Sequence, residues 1–329
     1  MQIKALTGVA LLFLASLAFP ASVRSGPGLA EANAAYEKGD YPKVIELLRD
    51  VAAREPQNSE AYLLLAKTYF QMRDHDRAVA NAEKAVALDP NNSVYHEWLG
   101  RTYGQKASRA FWFSALSLAK RSRKEFETAV QLDERNFAAM QALIEYDCSA
   151  PGIAGGGEEK ARAEIARIAA LDAAEGHYAL GNCRRQKKDF ATADAEFTKA
   201  LESDPKSADL IYDIGDYAMK RSQPDRLFAV VRTGRRVAPA DPRDKFYLAV
   251  AHVLKSENLE ESRRLLGEYL TTAPVRDNYP SPSWVHYWLG RSFEAQNQLD
   301  KARDEYRTAV KLDSDNKPAK EALDRISRK

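Results

Sequence analysis

The sequence predicts an all-α fold, an α-α superhelix of about eight helix-turn-helix units closed by a capping helix. Three observations carry that prediction. The stretch from Ser59 to Asn92, S-E-A-Y-L-L-L-A-K-T-Y-F-Q-M-R-D-H-D-R-A-V-A-N-A-E-K-A-V-A-L-D-P-N-N, returns in pattern at a 34-residue spacing. A unit of that size holds two amphipathic helices, which bury their apolar faces only by stacking on neighbours. Small residues sit where those helices must approach: Ala66 on the first helix, Ala78 and Ala85 on the second, with Leu65 and Tyr69 filling the groove between them. Prolines then end the second helices at Pro56, Pro90, Pro205, Pro239 and Pro274.

Residues 1–24 read as a signal peptide and short leader. Lys4 precedes an apolar run from Ala5, with small residues at Ser16 and Ala18. The run is shorter than the roughly 20 residues that a membrane span needs, so cleavage is expected after Ala18, or alternatively Ala21, and no cysteine follows to accept lipid. The mature chain is expected to be exported, periplasmic or secreted.

The units are placed at 25–58, 59–92, 93–136, 137–173, 174–207, 208–241, 242–274 and 283–316. Their small-residue position is held by Ala32, Ala66, Gly100, Gly181, Gly215 and Gly290, whereas Ile144 and Tyr269 break the rule. Glu134, Ala173 and Ser314 replace the closing proline elsewhere. Residues 317–329 form a polar helix with Ala319, Ala322, Leu323 and Ile326 on one face, a cap for the open end of the stack.

Two neighbouring units depart from the pattern. The third is about ten residues too long; the surplus at 106–121 contains good helix formers and neither Gly nor Pro, so both helices are expected to lengthen into a hairpin spur. The spur carries Phe111, Trp112, Phe113, Leu116 and Leu118 between Arg109 and Lys120-Arg121. Exposed apolar clusters of this kind mark contacts. The fourth unit has a glycine loop at 149–157, and Pro151 and Ile153 are close enough in the array for the spur tip to rest on them. Internal sealing and a partner-facing patch are both open readings. Gly152 and Gly157 have the spacing of a phosphate loop, but Glu158 and Glu159 stand where Lys and Ser or Thr are required, so no nucleotide is expected there.

In the second unit, Tyr62, Leu65, Ala66, Tyr69, Ala78, Ala82, Ala85 and Pro90 closely resemble the tetratricopeptide repeat family; only Ala82 departs, being small where the family is bulky. The spur followed by A-P-G-I-A-G-G-G is similar to a group of exported bacterial repeat proteins of unestablished function. The family resemblance implies that fixed positions of the first helix project into a concave groove. Position 5 gives Tyr178, Tyr212, Tyr247 and Tyr287 in units five to eight, a ladder suited to gripping an extended peptide or a sugar chain. Position 9 runs Asn33, Lys67, Arg101, Glu145, Asn182, Asp216, Ala251 and Arg291, so Lys67 and Arg101 would favour a carboxylate or acidic segment. The family's chaperone-tail clamp does not fit, because Leu29 stands where it needs Lys.

The formal charge of +2, with both signs interspersed, offers no basic stripe, and nucleic acid is not an expected partner. His96, His177 and His286 share position 4 of non-adjacent units and read as packing residues; no cofactor, metal or catalytic set is expected. Cys148 and Cys183 read first as buried packing residues and second as a disulfide in an oxidising compartment. The leading functional expectation is a non-catalytic exported scaffold that holds a protein or peptide segment in an envelope-associated complex, serving envelope assembly, secretion or polymer export. The alternative is a carbohydrate-binding protein or hydrolase acting through Glu145 and Asp216.

Overall fold

The computed structural model describes residues 27–150, 152 and 155–327; the signal segment lies outside them. Among the described residues there are seventeen α-helices and no strand. They pair in chain order: α1 (Pro27–Glu37) with α2 (Tyr41–Arg54), α3 (Ser59–Gln71) with α4 (His75–Leu88), α5 (Ser93–Ala107) with α6 (Trp112–Leu132), and α7 (Phe137–Ser149) with α8 (Glu158–Leu171). The series continues with α9 (Ala173–Gln186) and α10 (Phe190–Glu202), α11 (Ala208–Lys220) and α12 (Pro224–Val237), α13 (Arg243–Lys255) and α14 (Leu259–Thr272), then α15 (Pro282–Ala295) and α16 (Leu299–Leu312), with α17 (Lys317–Ser327) packed on α16.

Helix starts follow a repeated local rule. Four of the first helices are opened by side chains that accept from a backbone N–H three residues on: Asn58 from Ala61, Asn136 from Ala139, Asp172 from Glu175 and Ser207 from Leu210, at 2.9–3.2 Å. Asp40, Asp74 and Asp189 open α2, α4 and α10 in the same way. The residue before each of these aspartates is left-handed: Gly39, Arg73 and Lys188.

Packing within a unit explains the small-residue position. A β-carbon on Gly100, Gly181 or Gly290 would stand 2.7, 2.6 or 2.5 Å from the ring of Phe126, Phe197 or Tyr306, which project from the paired second helix. Glycine thus lets a large ring fill the interface. The histidines at position 4 join the same helices: His96, His177 and His286 each place Nδ1 2.6–2.7 Å from a carboxylate oxygen of Glu125, Glu196 and Glu305. The partners are 19 residues apart in the two regular units and 29 in the third. The insertion therefore lies wholly beyond this junction. The apolar core is segmented like the array, and its largest continuous part runs from Ala193 to Ile326, where Ala319, Ala322 and Ile326 of α17 cover the last repeat.

The spur differs from expectation in shape. Helix α5 stops at Ala107, where the Ser108 hydroxyl donates to the Gln105 carbonyl (2.7 Å), and nearly all of the added length goes into α6, which has 21 residues. The preference for unpaired cysteines is corrected: Cys148 on α7 and Cys183 on α9 form a disulfide, with Cα atoms 5.6 Å apart. Packing of α7 on α9 sets that distance, which the pattern of either helix alone does not encode.

Residues 273–281, between α14 and α15, cross to the other end of the array. The Tyr41 hydroxyl donates to the Val275 carbonyl (2.7 Å), Arg276 Nη1 donates to Glu37 Oε2 (2.6 Å), and the Asp277 N–H donates to Gln71 Oε1 (3.0 Å). On the near side, Arg243 donates to the Asn278 carbonyl (3.1 Å) and its guanidinium lies 4.5 Å from the centres of both the Tyr212 and Tyr279 rings. This strap ties the first two units to the sixth and seventh. Gly39 is required where it docks: its φ is +74°, and a β-carbon there would meet the Val275 carbonyl oxygen at 3.0 Å.

Candidate functional site

Beyond the strap, the first helices of units two to five line an open cleft of about 510 Å³. Its wall includes Phe70 from α3, Arg101 from α5, Gln141 and Glu145 from α7, and Tyr178 from α9. All stand on the inner helices, which pack on one another as α3 on α5 and α7 on α9. Trp98 stands behind the N-terminal wall: its ring meets Phe70 edge-on at 5.6 Å, with the Lys67 ammonium 5.0 Å and the Arg101 guanidinium 5.5 Å from its centre.

The electrostatics of this wall are unbalanced. Burial pushes the pKa of Lys67 down, with the nearby Glu97 opposing. Arg101 is held by Glu97, Nε to Oε1 at 2.7 Å, whereas Lys67 makes no ion pair among the described residues. Across the cleft, burial pushes the Glu145 carboxyl above its ordinary range, with Arg185 opposing. Lys67 and Glu145 are thus partly desolvated without a direct opposite charge, and an incoming carboxylate at Lys67 would relieve its cost.

The tyrosines of the expected ladder take different positions. Tyr212 and Tyr247 are 1% exposed and stack on each other, ring centres 5.6 Å apart; Tyr287 is 8% exposed. Side chains with so little accessible area offer nothing to a ligand in the groove. Their burial follows from the packing of successive first helices, where the Tyr247 hydroxyl donates to Asp216 Oδ1 (2.7 Å) and that of Tyr287 accepts from Arg291 (3.0 Å). Tyr178 alone lines the cleft, with its hydroxyl donating to Asp213 Oδ2 (2.8 Å). Trp98 was not singled out by the sequence because it stands at position 6, beside the positions that the family template points inward.

Glu145 and Asp216, the carboxylates of the hydrolase reading, open onto different cavities. Asp216 lines a pocket of about 360 Å³ against the strap, together with Tyr41, Lys220 and Arg276. The structure does not bring the two carboxylates to one site. Among the described residues no group of three or more His, Cys, Asp or Glu is placed to hold a metal ion, and no helix is long and apolar enough to cross a membrane.

The spur aromatics stand outside the cleft. Phe111, Trp112 and Phe113 are 73%, 60% and 65% exposed, and the Trp112 and Phe113 rings stack with centres 3.3 Å apart. Pro151 and Ile153, on which the tip was expected to rest, lie outside the described residues.

Three models of the tetratricopeptide repeat match the chain, at residues 35–102, 174–207 and 283–316. The cellulose synthase operon protein C of Escherichia coli strain K12 is 40% identical over 82 residues, which are 25% of this chain and 7% of that protein. Anaphase-promoting complex subunit 7 of Arabidopsis thaliana is 23% identical over 323 residues, 88% of this chain and 54% of that one. The chain thus spans a small fraction to about half of the length of these relatives. Among solved structures, a monomeric mutant of IFIT1 with Gppp-AAAA aligns at a TM-score of 0.51 and 15% identity, covering 92% of this chain and 71% of that one, a likeness of fold. Three matches spread from the first unit to the last, on seventeen helices paired as helix-turn-helix units, support a protein of the tetratricopeptide-repeat family.

Proposed function

We propose that the chain is an exported, non-catalytic scaffold whose N-terminal cleft holds an extended acidic segment of a partner protein within an envelope-associated complex. Repeat proteins of this family generally mediate protein–protein interaction, and one observation supports a contact at the N-terminal cleft. The strap crosses to the first units, and beside the cleft of units two to five Lys67 is desolvated against Trp98, which meets Phe70 of the cleft wall, with no carboxylate paired to the ammonium among the described residues. An acidic side chain or chain terminus would complete that charge, while the aromatic rings supply apolar area to the neighbouring residues. Export rests on the Lys4 to Ala18 pattern. The 82-residue similarity to a protein named for a cellulose synthase operon agrees with a scaffolding role.

A random peptide library displayed against the full mature chain tests the reading. Enrichment of sequences rich in Asp or Glu, lost when Lys67 is changed to Gln, is the expected outcome. Enrichment without acidic preference, or selective retention of an oligosaccharide in place of any peptide, overturns it.

A further inference from the structure

The spur stands apart from the cleft, and its chemistry differs. Between Trp98 and Lys124 the chain has seven Lys or Arg residues and no Asp or Glu, although the whole sequence carries 49 basic and 47 acidic residues. Lys106 and Arg121 are engaged by Asp76 and Glu83 on α4, and Arg123 by Asp147 on α7. Arg109, Lys120 and Lys124 are exposed and make no ion pair among the described residues. Beyond this collar stand three consecutive aromatic side chains, each more than half exposed and in ring contact with one another.

We propose that the spur docks the protein on a lipid bilayer rich in anionic headgroups, with Phe111, Trp112 and Phe113 inserted at the interface. The dimensions fit. Helix α6 rises about 1.5 Å per residue, so Lys120 and Arg121 lie roughly 12 Å behind Trp112. Interfacial side chains reach about 5–10 Å below the headgroups, which leaves the basic collar at headgroup level when the rings are immersed. Trp is enriched at that depth because its ring is apolar and its N–H still finds a hydrogen-bond acceptor there. Each exposed cation adds attraction to an anionic surface, and that attraction falls with salt. Exposed aromatic rings flanked by unpaired cations suit an anionic lipid interface, which takes up both apolar area and positive charge.

The test is co-sedimentation of the full mature chain with vesicles of phosphatidylcholine containing about a third phosphatidylglycerol, against phosphatidylcholine alone. The proposal expects binding to the anionic vesicles only, weakened at least about tenfold by the F111S/W112S/F113S variant, by R109E/K120E, and by high salt. Unchanged helicity and melting of the variants show that the fold survives. Where the triple variant melts early, quenching of native Trp112 by bromolipid provides the second readout. Equal sedimentation of native and variant chains, indifference to phosphatidylglycerol, or no quenching overturns the proposal. Peptide binding in the cleft is measured without vesicles, so either reading can fail alone.

Discussion

Arg276 donates to Glu37 across 239 positions of sequence, and its guanidinium also lies 5.3 Å from the centre of the Tyr36 ring. A solenoid in which each unit touches only its neighbours would leave its ends free. Here the connection 273–281 between α14 and α15 forms a strap that anchors the first units to the sixth and seventh. The strap limits how far the superhelix can open, and so sets the width of the groove.

The Arg276→Ala variant tests that closure. Glu37 is largely exposed, so losing the pair should cost no more than about 1 kcal/mol. With Tyr41→Phe added, which removes the bond to the Val275 carbonyl, solution scattering should show a larger radius of gyration at unchanged helix content. An unchanged radius in the double variant would mean that repeat stacking alone fixes the pitch.

Reduction of Cys148–Cys183 should destabilise the centre of the array. The bond spans 35 positions, and a loop of that size corresponds to roughly 4 kcal/mol of chain entropy in the unfolded state. Hydrogen exchange should accelerate in α7 to α10 on reduction, while α13 to α16 keep their protection. Uniform acceleration along the chain would show that the array unfolds as one cooperative unit.

The Gly181→Ala substitution should destabilise despite alanine's better helix propensity. The new β-carbon would fall 2.6 Å from Phe197, a fully buried ring that has no free space to enter. Overpacking of this kind costs about 1–3 kcal/mol, against a gain of up to about 1 kcal/mol from replacing glycine. Urea denaturation should therefore show a lower midpoint. A raised midpoint would indicate that Phe197 can rotate away.

Asp216→Asn should stabilise the protein at neutral pH. Burial raises the pKa of this carboxyl, opposed by the Tyr247 hydroxyl and Lys220. A folded-state pKa above the unfolded value means that ionisation opposes folding; the cost is present above the folded pKa and disappears below the unfolded one. The asparagine side-chain oxygen can still accept from Tyr247. The variant should gain melting temperature at pH 7 and none at acidic pH below the ordinary carboxylate range. Destabilisation at both pH values would instead make the charge a structural requirement.

The helices were legible because the small residues and closing prolines recur at a fixed period, and local chemistry decides where each helix stops; the capping aspartates Asp40, Asp74 and Asp189 were not used in that reading. What sequence reading missed depends on how units cross. Cys148 and Cys183 meet through the packing of α7 on α9. Tyr212 and Tyr247 occupy the template's groove position, yet their rings turn into the interface between successive inner helices. The strap at 273–281 was not singled out from the sequence, because its contacts with Tyr41 and Glu37 depend on the accumulated superhelical turn of several units, which no single repeat specifies.

The most direct test of the scaffold reading is calorimetric titration of the full mature chain with an acidic peptide selected by it, compared with the Lys67→Gln variant. The account predicts at least about a tenfold loss of affinity in the variant and a marked decrease for the native protein as salt is raised. Equal affinity in both proteins, insensitive to salt, would contradict it.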